Sequence, residues 1–463
     1  MNNNDKVRNA VSNTIKKLAP AILIALIATA LGLLSLYTSP VPMIQDFGKM
    51  LTIGMVVSFI VALFVLLPIL FFRDSLFSNN KKVKVKTKKN KNQFEKVMIK
   101  ITNFALRFKY LILIIAIATA TLGIVLDQEV GVETDIETFM PQDTPELLDI
   151  QELREIIGST EQLSIVFSGT DVLTSENIIW IDEMTTGLTT EFPDEIISGK
   201  SITSLLNMLT TEELNAVLVS QLIQNLPSEQ LKMFVNEDQT KGVIILSIQA
   251  LEPEDLEAFI DDLNIYLDTS TTEMNISVTG QAVIDVEMIT ALTTGRYTIT
   301  LVGMLLVFLG LLIIYRNPLK AIIPLIPISL IVGWSGGFMY IFGLEYTPLT
   351  ATLGALIIGI GTEFTILVME RYYEELAKAE SNKEAIEITF GKMGKPIIAS
   401  ALTTIGGFSA LIISDFEILS NFGIMTLVNI SLALLSTLIV MPVVLLIQEE
   451  VKSKFKKNFA VKT

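Results

Sequence analysis

Gly359-Ile360-Gly361-Thr362-Glu363-Phe364 stands in the middle of a stretch, Thr347 to Met369, that carries no other charge and is long enough to cross a bilayer as a helix. Hydrocarbon penalises a bare carboxylate by several kcal/mol, so an acid at this depth normally faces a bundle interior and marks a path for an ion, a proton or a substrate. Gly359 and Gly361 let a neighbouring helix come close beside it. The competing reading is a permanently protonated Glu363 that hydrogen-bonds to another helix, holds the bundle together and carries nothing.

Outward from this stretch the chain reads as a membrane protein. Hydrophobic residues make up 51% of it and the mean hydropathy is +0.56. Apolar runs of about 20 residues recur eight times, at roughly 19–38, 47–72, 107–126, 297–316, 319–343, 347–371, 392–414 and 421–447. An even number of spans puts both termini on one side. Lys16 and Lys17 precede the first span, 12 Lys and Arg lie between Arg73 and Lys109, Arg316 and Lys320 bracket a turn, and Lys452, Lys454, Lys456 and Lys457 follow the last span. By the positive-inside rule these are cytoplasmic, in a multi-pass protein of the cell membrane whose large loop lies outside. The basic run Lys81 to Lys89 reads as a solvated linker that sets orientation, with binding of anionic lipid as its alternative. Nucleic acid is not an expected partner of a chain with net charge -15 whose basic residues sit beside membrane spans.

Most of the negative charge has one address. Between Asp127 and Gly295 there are 33 Asp and Glu against four Lys and Arg, which marks an acidic, water-facing domain of about 170 residues. Leu163 to Ser168 and Gly242 to Ala250 read as strands, Ser175 to Phe192 and Glu254 to Leu267 as helices, and Asn275 to Gly280 as a closing strand. That order predicts strand-helix-strand units in a ferredoxin-like arrangement. Ile202 to Val235 reads as an inserted helical hairpin with breaks near Thr210 and Ser228, either of which can cap a new helix.

An internal repeat organises the rest. Shifted by 375 positions, Thr29, Gly32, Ser39, Phe47, Gly48 and Met50 match Thr404, Gly407, Ser414, Phe422, Gly423 and Met425, and Pro68 matches Pro442 with a one-residue slip. The expected organisation is therefore residues 1–72 as the last two spans of an incomplete first repeat, 73–106 as a basic cytoplasmic linker and 107–126 as the first span of a complete repeat. Residues 127–296 form an extracytoplasmic porter domain, 297–447 a five-span block and 448–463 a cytoplasmic tail. The fold class is a polytopic α-helical membrane protein with eight spans plus one α/β ferredoxin-like domain.

With no His and no Cys, imidazole bases, thiol nucleophiles, disulfides and the usual zinc sites are excluded. Gly359-x-Gly361 lies inside an apolar helix, not after a strand, so it is not a dinucleotide fingerprint. No phosphate-binding loop is present either, which points to an ion gradient as the energy source. Neither a cofactor nor an enzymatic activity is expected.

The glycine-acid helix continues into Glu370-Arg371-Tyr372-Tyr373-Glu374-Glu375, and together they resemble the membrane helix of the RND superfamily, in its MMPL-like, hydrophobe/amphiphile exporter branch. Leu402-Thr403-Thr404-Ile405-Gly406-Gly407-Phe408 is similar to that family's Leu-Thr-Thr helix, and Asn421-Phe422-Gly423 to the turn into its last span. Val132-Glu133-Thr134-Asp135 with Pro141-Gln142-Asp143-Thr144-Pro145 looks like the start of its outer porter domain. The five spans from 297 to 447 also resemble a sterol-sensing-domain arrangement.

The resemblance implies that the outer domain collects a lipid or other amphiphile while proton passage at the acidic helix drives the cycle. Glu363 is then the proton carrier, with Thr403 and Thr404 as hydroxyl partners unless these bond their own backbone one turn back. Gly359, Gly361, Gly406 and Gly407 become the helix-packing motif, and Arg371, Tyr372 and Glu374 the cytoplasmic end motif. A whole transporter of this kind has a second outer domain and four more spans before the equivalent of residue 1. The chain is thus expected to work with a separately encoded first half or a second copy, or to be a remnant that no longer transports. A lipid-sensing partner and a SecD/SecF-like export accessory are the alternative functions.

Overall fold

The computed structural model describes residues 3–66, 93–133, 161–210, 214–251 and 253–460, with isolated positions between 68 and 149. The Lys81 to Lys89 run and Thr134, Asp135, Gln142 and Asp143 lie outside the described residues. Two units are present, a membrane unit of residues 1–140 and 291–463 and an α/β unit of residues 141–290.

Along the chain, α1 (Asn3–Leu34) and α2 (Pro42–Val61) form a hairpin, followed by α3 (Gln93–Arg107) and α4 (Lys109–Asp127). The α/β unit runs β1 (Gln162–Ser168), α5 (Ser175–Glu191), β2 (Ile196–Lys200), α6 (Ile202–Leu209), α7 (Ala216–Asn225), α8 (Ser228–Leu231), β3 (Lys241–Ile248), α9 (Pro253–Asp268) and β4 (Asn275–Gly280). Then come α10 (Gln281–Tyr315), α11 (Pro318–Ile322), α12 (Leu325–Phe342), α13 (Leu353–Leu376), α14 (Asn382–Phe408), α15 (Glu417–Leu435) and α16 (Met441–Ala460).

Among the described residues eight helical segments are long and apolar enough to cross a membrane, one in each region that hydropathy marks. Helix is the form that lets a lone segment satisfy its own backbone in hydrocarbon. Burial ranks these spans: 72% of the apolar window is buried at Thr350–Leu376 and 67% at Pro318–Phe342, against 11% at Asn382–Ile413 and none at Pro42–Leu66. The acid helix α13 and its neighbour α12 therefore form the centre of the unit.

Small residues set the closest approaches. A Cβ built on Gly123 of α4 would lie 2.0 Å from the Gly333 carbonyl oxygen, and one on Gly333 would lie 2.4 Å from that of Ala120, so these backbones touch. On α14, Cβ atoms at Gly391 and Gly394 would meet Glu95 and Met98. Residues 93–106, inside the stretch read as a linker, thus belong to a helix seated on α14.

The hairpins α1–α2 and α14–α15 share detail beyond sequence. Each turns through a 3-10 segment, Ser35–Thr38 or Ser409–Ile413, and ends it on a serine in nearly the same extended conformation, Ser39 at φ -67 ψ 140 and Ser414 at φ -69 ψ 137. Each second helix continues into a π-helical turn, Ala62–Leu66 or Ser436–Val440. Phe47 and Phe422 meet edge to face with centroids 5.8 Å apart.

The α/β unit holds a four-stranded antiparallel sheet in the order β2-β3-β1-β4, with Ile165 opposite Ile244 on one side and Val278 on the other. Alternation along β1 and β3 sends Leu163, Ile165, Phe167, Ile244, Leu246 and Ile248 to one buried face, where Ile178, Ile181 and Leu188 of α5 and Phe259 and Leu263 of α9 cover them. β2 is an addition to the sequence reading; at five residues, with Gly199 inside, it gives little alternation to detect. The helical insert follows it, and its second helix is capped by Asn215, which accepts from the amides of Val217 and Leu218, rather than by Thr210.

Candidate functional site

α13 presents different neighbours on different sides. Gly359 faces α1, where the Thr29 hydroxyl donates to its carbonyl oxygen at 3.0 Å, and Gly361 faces Ile328 of α12. Thr362 and Thr365 are buried and donate to carbonyls of their own helix, Gly359 at 2.8 Å and Gly361 at 2.8 Å. Phe364 is buried. Glu363 is exposed, not enclosed in the bundle interior, and it lines a groove of about 300 Å³ with Ile22, Ala25, Leu26 and Thr29 of α1, Met55, Ser58 and Phe59 of α2, and Leu367. Among the described residues its carboxylate has no hydrogen-bond or ion-pair partner.

Thr403 and Thr404 are elsewhere. Each donates to the carbonyl one turn back, Thr403 to Ala399 at 2.8 Å and Thr404 to Ser400 at 3.1 Å, and neither lines the groove of Glu363. The hydroxyls beside the acid are Thr29 and Ser58. Thr29 is the repeat counterpart of Thr404, so the internal repeat already held the signal for it. The four packing glycines divide the same way: Gly359 and Gly361 are in contact, whereas Gly406 and Gly407 have open space where a side chain would project.

The end motif of Arg371, Tyr372 and Glu374 is part of a network. Arg371 donates to Glu374 at 2.6 Å and also pairs with Glu375, which accepts from Lys392 of α14 at 3.1 Å, while Lys378 reaches Glu374 at 3.1 Å. Tyr372 is fully buried, and the Tyr373 hydroxyl and Gln448 of α16 lie 3.1 Å apart. These contacts tie the end of α13 to α14 and α16.

A second polar cluster escaped the sequence reading. Asp127, at the end of α4, accepts hydrogen bonds from the hydroxyls of Tyr346 and Tyr297, each at 2.6 Å, and forms an ion pair with Arg296 at 3.2 Å. The Arg296 guanidinium also donates to the Asp127 backbone carbonyl at 2.9 Å and stacks 3.7 Å above the Tyr346 ring. Gly336 of α12 makes the room, since a Cβ there would lie 2.5 Å from Asp127. Tyr346 lies in the loop between α12 and α13. Burial first and the Asp127 charge second hold its phenol well above its ordinary value near 10. The same residue pairs with the strand-like segment after α4, its amide donating to Gly131 at 2.8 Å and its carbonyl accepting from Glu133 at 2.9 Å. The available signal was Arg296 itself, the one Lys or Arg between Lys241 and Arg316, placed where a span begins. α15 adds buried Thr426 and Asn429, whose side-chain polar atoms have no partner among the described residues.

A profile of the MMPL family matches residues 1–103 and 200–458. The chain belongs to the MMPL family. This MMPL protein is 26% identical over 329 residues to a membrane protein of Methanocaldococcus jannaschii, covering 68% of itself and 85% of that relative. It is 23% identical over 239 residues to an apo-petrobactin exporter of Bacillus anthracis, covering 48% of itself and 32% of the exporter. Among solved structures, the hedgehog release protein Disp from the water bear Hypsibius dujardini superposes with a TM-score of 0.70 at 13% identity, over 94% of this chain and 59% of that one. That last likeness is one of fold. The MMPL chain thus spans about a third of the exporter and about three fifths of the structural relative.

Proposed function

We propose that the chain is one half of a proton-driven MMPL-type exporter that moves lipids or other hydrophobic or amphiphilic compounds across the cell membrane, with both termini cytoplasmic and the α/β unit outside. Family membership and the exporter among its relatives support the transport class. The observation that carries the proton step is Glu363: a carboxylate at mid-span, beside an apolar groove, without a hydrogen-bond or ion-pair partner among the described residues. Hydrocarbon favours its neutral form and water its ionised one, so a groove that opens and closes drives proton uptake and release. The sheet order β2-β3-β1-β4 with helices between β1 and β2 and between β3 and β4 supports a ferredoxin-like porter domain.

Thr29 and Ser58 take the place nearest the acid, with Thr403 and Thr404 reserved for an equivalent site on a partner half. The test is export by the assembled transporter in vesicles with an imposed pH gradient. Glu363→Gln, an uncharged near-isostere, drops export to background while membrane abundance stays constant. Normal export by this variant removes the proton role of Glu363, and a sensor that holds lipid without moving it tolerates the change.

A further inference from the structure

Arg296 carries more hydrogen-bond donors than its neighbours use. Its side chain is 7% exposed. The Nη2 donors are spent on Asp127 and on the Tyr297 hydroxyl, whereas Nε and Nη1 are buried and have no partner among the described residues. A guanidinium stays protonated at any ordinary pH, so the unspent N–H groups remain charged donors. Burying them unanswered costs free energy that a well-placed acceptor recovers.

A cavity lies beside them. Arg296, Thr300, Ser335, Thr350 and Gly354 are among the residues that line it, and its volume is about 40 Å³. A water takes roughly 10–15 Å³ on this measure, so the space holds a few water-sized atoms and is too small for sulfate or phosphate. Thr300 and Ser335 are themselves buried, and the Thr300 hydroxyl donates to the Arg296 carbonyl at 2.8 Å. This cavity is separate from the groove of Glu363, which is bounded by α1 and α2.

We infer that the cavity binds one small anion, of the size and chemistry of chloride. A halide is a pure acceptor, matched to a site whose unspent groups are donors. Charge excludes a metal cation beside the free edges of a guanidinium, and volume excludes the polyatomic anions. Asp127 does not forbid an anion here, because two phenols and the arginine already hold its carboxylate and it engages the arginine through Nη2 alone. Water, the neutral alternative, gains less from a charged donor than an anion does. The bound ion ties Arg296 of α10 to Ser335 of α12 and to Thr350 in the turn before α13, so it reinforces the Asp127 clamp from the other side of the guanidinium.

The full chain in lipid nanodiscs, exchanged into gluconate buffer, is titrated with radiolabelled chloride, and binding is measured by equilibrium dialysis. One saturable chloride per chain is expected, displaced by bromide and not by sulfate. Arg296→Lys keeps a cation beside Asp127 but removes Nε and Nη1, and should weaken binding about ten- to a hundredfold, the worth of a hydrogen bond to a charged group. Ser335→Val narrows the cavity and leaves every hydrogen bond of Asp127 in place, so it should abolish binding with an unchanged circular-dichroism spectrum; it decides the matter where Arg296→Lys fails to fold. No saturable chloride in the parent, displacement by sulfate as readily as by bromide, or binding undiminished by Ser335→Val overturns the anion site and leaves the cavity to water.

Discussion

Asp127 and Glu363 are both carboxylates of the membrane unit, and their surroundings are opposite. Asp127 receives two phenol hydrogen bonds and an arginine, all from groups that are themselves half-buried or buried. Glu363 receives nothing from the described residues and opens on a groove of apolar side chains and two hydroxyls. A carboxylate clamped by three donors holds elements together, whereas one without donors changes its proton occupancy when its surroundings change. The difference makes Asp127 a tie between α4, α10 and the loop before α13, and leaves Glu363 as the carboxylate on which the proposed proton step rests.

The sharpest way to break this contrast is to remove one charge from each site. Glu363→Gln should abolish gradient-driven export and leave thermal unfolding within about 0.5 kcal/mol of the parent, the range of a substitution that removes no contact. Arg296→Met should do the reverse in kind, lowering stability by about 3–5 kcal/mol because it strands a buried Asp127 charge. Unfolding in detergent followed by circular dichroism measures both, and an Arg296→Met protein as stable as the parent would dissolve the distinction. Combining Arg296→Met with Asp127→Asn removes the stranded charge and should recover part of the loss.

Smaller effects refine the clamp. Tyr346→Phe deletes one hydrogen bond to a charged acceptor and should cost about 1.5–3 kcal/mol. Its pH dependence is informative too. The folded phenol is held protonated above its ordinary value, so its contribution is intact below about pH 10 and is lost as pH rises past the point where the unfolded chain ionises. Comparing parent and Tyr346→Phe between pH 9 and 11 should show a steeper alkaline loss in the parent, and parallel curves would mean that Tyr346 is wetter than its place in the structure implies.

The positions of the spans were legible because hydropathy reports depth. The acid helix, the hairpin repeat and the two longest strands followed from it and from alternation. What was not legible is azimuth, the direction each helix turns toward its neighbours. Thr403 and Thr404 looked like partners of Glu363 because they lie on the next helix in sequence, yet rotation about the helix axis points them away and brings Thr29 instead. The Asp127–Arg296 pair joins residues 169 apart across the whole α/β unit, and no local pattern links them. α3 was hidden by composition, since a helix rich in Lys and Arg next to a basic run reads as more of the same.

The glycine contact of α4 with α12 has a mechanical corollary. Two backbones that touch without any side chain between them have no cushion to compress and no rotamers to exchange, so rolling or sliding would open a crevice along their whole length. They travel as a single plank. Compliance must then sit at joints upholstered with side chains, and the groove of α1 and α2 side chains beside Glu363 is one of them.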